Sequence, residues 1–210
     1  FHAQKIQQLP QTDLIAVCDV NPEVCESASQ EFNVPAYHDH RDLFGKIDAV
    51  SIAATTCAHY AIAKDCLAAG IHVLIEKPIT ETVAQADELI KLAKQHHAKL
   101  QVGHMERFNA ARIALDEHLE KPLFIESNRL APFNPRGTDV NVVLDLMIHD
   151  IDLIQSIVKS PIKFLDAQGA PVLSPAIDIA NARITFENNA IANVTASRVS
   201  FKTERKTRIF

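Results

Sequence analysis

The chain has 210 residues, 47% hydrophobic and 22% charged, enough to bury a core in one large or two small domains. Its formal net charge of -5 is spread along the sequence, which excludes the basic footprint that nucleic acid or an anionic membrane surface would require. Cys18, Cys25, Cys57 and Cys66 show no C-x-x-C spacing, and no apolar stretch is long enough to span a bilayer or form a leader, so the expectation is reduced thiols in a cytoplasmic protein with no membrane partner.

In chain order, Ala3 to Leu9 reads as the tail of a helix stopped by Pro10, and Asp13 to Val20 as a strand ending in Asp19. Asn21-Pro22 opens a helix through about Glu31, Tyr37 marks a short strand, and Asp48 to Ala54 is an apolar strand. A helix from about His59 stops at Gly70, where glycine readily takes the left-handed cap. Ile71, Val73, Leu74 and Ile75 then form a β-branched-rich run, the pattern of a strand buried on both faces of a parallel sheet. Thr82 and Gln85 have capping-box spacing and open a helix with Val83, Ala86, Ile90 and Ala93 on one face, and Leu100 to Gly103 is a closing strand. Repeated strand-helix units predict a doubly wound, Rossmann-type parallel sheet over residues 1–103.

Two groups in this half carry candidate chemistry. Glu76, Lys77 and Pro78 fall where the central strand must end, and ligands of open parallel sheets bind outside the carboxyl ends of the strands. Lys77 is therefore the first catalytic candidate, against the alternative of a strand simply terminated by solvated charges and a proline. Asp19 closes an earlier strand, where an acid can accept hydrogen bonds from the adenosine ribose and favour NAD over NADP. A turn residue bonding its own backbone is the other reading. The sequence contains no G-x-G-x-x-G phosphate loop.

The second half changes rhythm. Ala110 to Glu120 reads as a helix ended by Pro122, Leu123 to Leu130 as a strand, and Val140 to Val158 as a long helix. Strands follow near Lys163 to Ala167, Ile179 to Phe186, Ala190 to Val199 and Arg205 to Phe210, with a hairpin turn at Glu187-Asn188-Asn189 because asparagine tolerates positive φ. Residues 104–210 are thus expected to form an α+β domain with an open, mainly antiparallel sheet. On the long helix, Asp145, His149 and Asp152 stand at i, i+4 and i+7 and share a face, the first two with Cβ atoms roughly 5–6 Å apart. The helix is otherwise apolar and has no basic residue, so it is expected to be largely buried. Zinc is not expected, because nothing at suitable spacing completes three or four ligands.

Asp19-Val20-Asn21-Pro22, Thr56-Cys57-Ala58-His59-Tyr60, Glu76-Lys77-Pro78, Gly103-His104-Met105-Glu106-Arg107-Phe108-Asn109 and Asp145-Leu146-Met147-Ile148-His149 occur in an order and spacing that resemble the Gfo/Idh/MocA oxidoreductases. With the proline-containing stretch Arg129 to Val140, the similarity leans to the bacterial branch that oxidises UDP-N-acetylglucosamine or its uronate at the 3-position. Two departures accompany it. Ala54-Thr55 stands where many relatives carry Thr-Pro, and the first strand with its glycine loop, like the end of the second domain, is expected to be missing from this chain.

The resemblance implies NAD as cofactor, with Asp19, Val20, Thr56, His59, Glu76 and Lys77 beside it. It implies reversible hydride transfer from a secondary alcohol, with His149 as general base, Asp145 orienting it and Lys77 donating to the reacting oxygen. The two roles exchange if desolvation neutralises the lysine. Arg107, Asn109, Arg136 and Asp152, with Arg129, are implied for the sugar nucleotide, since guanidinium binds phosphate or carboxylate oxygens in pairs. A homodimer or homotetramer through the open sheet and a place in lipopolysaccharide or lipid A sugar synthesis are also implied. Alternatives are a dehydrogenase of inositol or a free sugar, and a non-catalytic regulator that senses NAD or sugar. Intact Lys77, Asp145 and His149 argue against the regulator.

Overall fold

The computed structural model describes residues 1–134 and 140–210, which fold as two units, Phe1–Gly103 and His104–Phe210. In the first unit, α1 (His2–Gln8) precedes β1 (Val17–Cys18), α2 (Pro22–Phe32) and β2 (Ala36–Tyr37). The Asn21 side chain caps α2 by accepting from the amides of Glu23 and Val24, and Pro22 fills a position whose N–H would be unpaired anyway. β1 pairs in parallel with β2 over two residues only, so the strand expected from Asp13 to Val20 is far shorter. Its partner explains this at both ends: the residues before Ala36 belong to the end of α2 and its left-handed Asn33 cap, and two residues after Tyr37 Asp39 caps a 3-10 helix, His40–Leu43, so the ladder has nothing further to pair with.

Three parallel strands follow, β3 (Ala49–Ile52), β4 (His72–Ile75) and β5 (Leu100–Val102), linked by α3 (Thr56–Ala68) and α4 (Val83–Gln95). Their register sets Ile52 beside Ile75 and Ile75 beside Val102. Ile52, Val73 and Ile75 pack with Ala63, Cys66, Leu67, Leu89 and Ala93 in one apolar core. Burial of β4 is one-sided, since His72 is exposed and Leu74 only half-buried, which corrects the strand expected to be covered on both faces.

Helix α3 begins at Thr56, three residues before the expected start at His59. It ends in a Schellman motif: Gly70 has φ +76, its amide donates to Leu67 O and the Ile71 amide to Cys66 O. The capping box of α4 forms, with the Gln85 amide donating to Thr82 Oγ1 and the Thr82 amide to Gln85 Oε1. The face of α4 differs from expectation. Leu89 and Ala93 are buried, whereas Val83 and Ile90 are exposed, because the stripe through Ala86, Leu89 and Ala93 is the one turned to the core.

The second unit opens with a 3-10 helix, Met105–Phe108, and α5 (Ala110–Asp116). α5 stops well before Glu120. The chain leaves the helix in a turn through Glu117 and His118, the His118 amide donating to Leu115 O. Then come β6 (Phe124–Leu130), α6 (Ile148–Val158), β7 (Ile162–Ala170), β8 (Ile179–Phe186), β9 (Ile191–Ser197) and β10 (Glu204–Ile209). The sheet order is β10-β6-β9-β8-β7, antiparallel except for the parallel pair β6 and β9. The β8–β9 hairpin turns through Asn189 at φ +66. One face buries Ile125, Ala182, Ile184, Phe186, Ala192 and Val194 with Ile154, Ile157 and Val158 of α6.

The long helix expected from Val140 instead contains a π-turn, Val143–Met147, before α6. The Ile148 amide reaches back five residues to Val143 O. Core packing accounts for the extra residue: Val142 and Met147 are both buried in the same cluster, and five residues apart they share a face only if the turn is wider than an α-turn.

Buried charge also organises this unit. Asp178 and Arg198 are both buried, and Arg198 Nε donates to Asp178 Oδ1 over 2.8 Å. Oδ2 of Asp178 accepts from the amides of Val172, Leu173 and Ser174, and Arg198 Nη1 donates to Val140 O. Burial pushes the Asp178 carboxyl up, but Ser174, the Val172 amide and Arg198 together outweigh it and hold the group far below its ordinary 3.8. A carboxyl depressed in the fold contributes stability that is complete above the ordinary carboxylate range and lost as pH falls.

Asp178→Asn should lower Tm by roughly 10 °C at neutral pH, and calorimetry should show the gap to the unmodified chain narrowing as pH falls below about 4. Thr82→Ala should cost about 1 kcal/mol in urea unfolding at unchanged m-value, because one cap of an exposed helix end is lost.

Candidate functional site

Parallel pairing brings the carboxyl ends of β3, β4 and β5 to one edge of the first unit. The Glu76 amide donates to Ile52 O and the Gly103 amide to Ile75 O, so the residue after each strand is held by the strand beside it. Glu76 and Lys77 are half-buried here, and the Lys77–Pro78 peptide is cis. The Glu76 carboxylate folds back over its own strand end, with the Lys77 amide 3.3 Å from Oε2. Its Oε1 is 3.0 Å from Nε2 of His2, whose Nδ1 lies 2.7 Å from Ser51 Oγ. Neither His2 nor Ser51 was singled out from the sequence. Ser51 belongs to a segment that reads as an ordinary strand and His2 lies just ahead of the helix read from Ala3, and only the fold brings them to Glu76.

His59 is buried, with Nδ1 2.9 Å from Pro78 O and Nε2 3.0 Å from Ala54 O. It therefore ties the loop after β3 to the loop after β4, and both ring nitrogens face backbone carbonyls of this chain. The ring is thus engaged within this chain, in the first turn of α3. Thr56, at the first position of α3, is also buried. Asp19 is exposed at the carboxyl end of β1, where Oδ1 accepts from the Asn21 amide at 2.8 Å. The turn reading of Asp19 thus accounts for one carboxylate oxygen, and Val20 beside it is exposed. Burial raises the adjacent Cys18 thiol to about 11, with Cys25 and neighbouring acids adding to the shift, so it is a poor nucleophile. All four cysteines are free.

In the second unit the Asn141 side chain caps the π-turn by accepting from the amides of Val143 and Leu144. Asp145 lies inside the turn and His149 one turn later, at the start of α6, both half-buried. A wider turn rotates each residue by less than the usual ~100°, so residues four apart come closer to eclipsing than in a regular α-helix. The Asp145 and His149 backbones are accordingly stacked on one face.

The residues expected to hold a sugar nucleotide are mostly engaged within this unit. Arg107 grips Asp152 through two parallel bonds, Nε to Oδ2 and Nη2 to Oδ1, which raises the Arg107 pKa, and His104 Nδ1 lies 3.8 Å from Asp152 Oδ2. The Asn109 side chain caps α5, accepting from the Ala111 amide at 2.9 Å. Arg129 is buried against Asp150, with Nε donating to Oδ2 at 2.7 Å, and Ser127 Oγ donates to Oδ1. Arg107 and Asp152 are thus partners of each other, and Arg129 is a partner of Asp150. Asp150 was missed because an acid beside His149 reads as part of the polar face, whereas the structure turns it into the sheet. Arg136 lies outside the described residues. Among the described residues no three His, Cys, Asp or Glu side chains converge as a metal site would need, and no helix is long and apolar enough to cross a membrane.

Two family models match the chain. Residues 1–104 match the oxidoreductase family with a NAD-binding Rossmann fold, and residues 122–210 match the GFO/IDH/MocA C-terminal domain. The chain is 38% identical over 211 residues to UDP-N-acetylglucosamine 3-dehydrogenase from Acidithiobacillus ferrooxidans, covering 100% of this chain and 67% of that protein. A crystal form of the same dehydrogenase superposes with TM-score 0.93 at 37% identity, over 100% of this chain and 69% of the other. Myo-inositol 2-dehydrogenase from Thermotoga maritima is 26% identical over 94% of this chain and 65% of its own length. The WlbA dehydrogenase from Bordetella pertussis, solved with NADH and UDP-GlcNAcA, shares the fold at TM-score 0.90 and 20% identity, over 100% of this chain and 67% of that one. The chain therefore spans about two thirds of the length of the relatives it matches. With its two units matched in order by the two domain models, it belongs to the GFO/IDH/MocA oxidoreductase family.

Proposed function

We propose that this chain carries the NAD-dependent oxidation of a secondary hydroxyl, at C3, of UDP-N-acetylglucosamine or its uronate. The observation that carries the reading is the 38% identity, over the whole chain, with a protein of that activity. Inositol dehydrogenases match at lower identity, for example 26%, so a cyclic polyol is the less supported substrate.

The residues of the first unit fit the cofactor. Parallel strands end together, Asp19 stands at the end of β1 with its carboxylate exposed to accept ribose hydroxyls, and a residue without a side chain, Gly103, lies against Glu76 at the end of β5. Asp19, Val20, Thr56 and Glu76 would hold NAD, with Lys77 beside it and His59 fixing the loops on either side of them. When bound, NAD supplies the hydride acceptor. The chain's own residues manage the proton. Lys77 Nζ donates to the reacting oxygen and steadies the negative charge that develops there. The His149 ring takes the hydroxyl proton, since a histidine titrates near neutrality by nature, and Asp145, one turn away, orients the ring and stabilises its charged form. Arg107 presents to the nucleotide the part of its guanidinium that Asp152 does not use, so Asp152 fixes the arginine's plane. Asn109 and Arg136 complete that set.

Two further parts of the reading concern context. The face of the sheet turned away from α6 carries exposed apolar side chains, Phe164 at 61% among them, and would pair subunits in a homodimer or homotetramer. A cytoplasmic enzyme of this kind would feed a 3-keto sugar to amination for lipopolysaccharide or lipid A.

The reading predicts NADH formation, followed by absorbance, with UDP-N-acetylglucosamine or its uronate and not with myo-inositol. Lys77→Ala and His149→Ala should each lower kcat by about 10²- to 10⁴-fold with little change in Tm, and Asp145→Asn by less. Full turnover in either alanine variant would remove that residue from the chemistry, and turnover of inositol alone would replace the substrate.

A further inference from the structure

Glu76 sits at the carboxyl end of β4 with more partners than a solvated acid needs. Oε1 is 3.0 Å from Nε2 of His2, and Oε2 accepts from the Lys77 amide at 3.3 Å. The His2 ring is itself held, with Nδ1 2.7 Å from Ser51 Oγ on β3. Neither end of the His2–Glu76 pair is fully open to water, their side chains being 32% and 27% exposed. Beneath the carboxylate lies Gly103. A Cβ built there would stand 3.0 Å from Glu76 Cδ and Oε1 and 3.1 Å from Oε2, closer than such contacts normally come. Gly103 has no left-handed backbone to explain the absence of a side chain, since its φ is not positive. Its smallness is used by the carboxylate.

We infer that His2 is a positioning residue of the cofactor site: anchored by Ser51, its ring clamps the Glu76 carboxylate into the space left by Gly103, and through that carboxylate fixes the backbone of Lys77. The inference rests on the reading of Glu76 as a cofactor contact. Three strand ends and one helix thereby converge on a single acid. Ser51 comes from β3, Glu76 and Gly103 are the residues after β4 and β5, and His2 comes from α1. A side chain that is to meet a ligand must have its rotamer locked by its neighbours, and without His2 the Glu76 carboxylate keeps, among the described residues, a single long bond to the next amide.

The test is a double-mutant cycle read by NADH affinity from fluorescence titration, which needs no turnover, together with Tm. His2→Ala and Glu76→Ala should each weaken NADH binding by about 10-fold with similar Tm. The double variant should bind no more weakly than either single one. His2→Gln, which can still reach the carboxylate, should recover most of the affinity. Gly103→Ala should weaken binding in the unmodified chain and add nothing once Glu76 is alanine. Additive losses in the cycle, NADH affinity within twofold of the unmodified chain for His2→Ala, no rescue by glutamine, or no NADH binding at all would each overturn the inference. Coupling in NADH affinity without turnover of any UDP-sugar would uphold the clamp and count only against the proposed substrate.

Discussion

The constraint on which the first unit depends is the parallel register of β3, β4 and β5. Once Ile52, Ile75 and Val102 are level, the residues that follow them have no freedom to scatter, and Glu76 and Gly103 are each tied by an amide hydrogen bond to the strand beside them. Glu76, Lys77 and Gly103 are therefore presented together as a consequence of backbone pairing. The apolar core beneath, with Val73, Ile75, Leu67 and Leu89 fully packed, keeps that register from slipping.

The second unit solves a different problem. Its sheet and α6 bury two arginines, and each is matched by an acid: Arg129 by Asp150 and Arg198 by Asp178. Such pairs add little net stability over apolar packing, but losing one partner strands a buried charge, so they act as registration points. Asp150 lies on α6 next to His149, and its bond to Arg129 on β6 sets how that helix is rotated over the sheet. The π-turn before α6 sets the other coordinate, because it lets Val142 and Met147 both reach the core while Asp145 stays stacked on His149.

What could be read from the sequence was whatever depended on local chemistry. The Thr82 and Gln85 capping box, the Gly70 stop, the asparagine hairpin and the strand ending at Ile75 are each decided by a few neighbouring residues. The family motifs were legible for the same reason, being short and contiguous. What was not legible depended on partners distant in the chain. Asp13 to Val20 looked like a full strand, but only Val17 and Cys18 find a partner. Val83 and Ile90 lie on a stripe as regular as that through Leu89, and only the core decides between them. Arg107, Asp152 and Arg129 looked available because their partners lie 20 or more positions away. The His2 contact with Glu76 spans the unit and leaves no local signal at all.

The measurement that tests the account most directly is the fate of the hydrogen on C3 of the sugar. UDP-N-acetylglucosamine carrying deuterium only at C3 is incubated with the protein and NAD, and the mass of the reduced cofactor is determined. The account predicts deuterated NADH and a 3-keto sugar nucleotide. Unlabelled NADH formed from that substrate would contradict oxidation at C3.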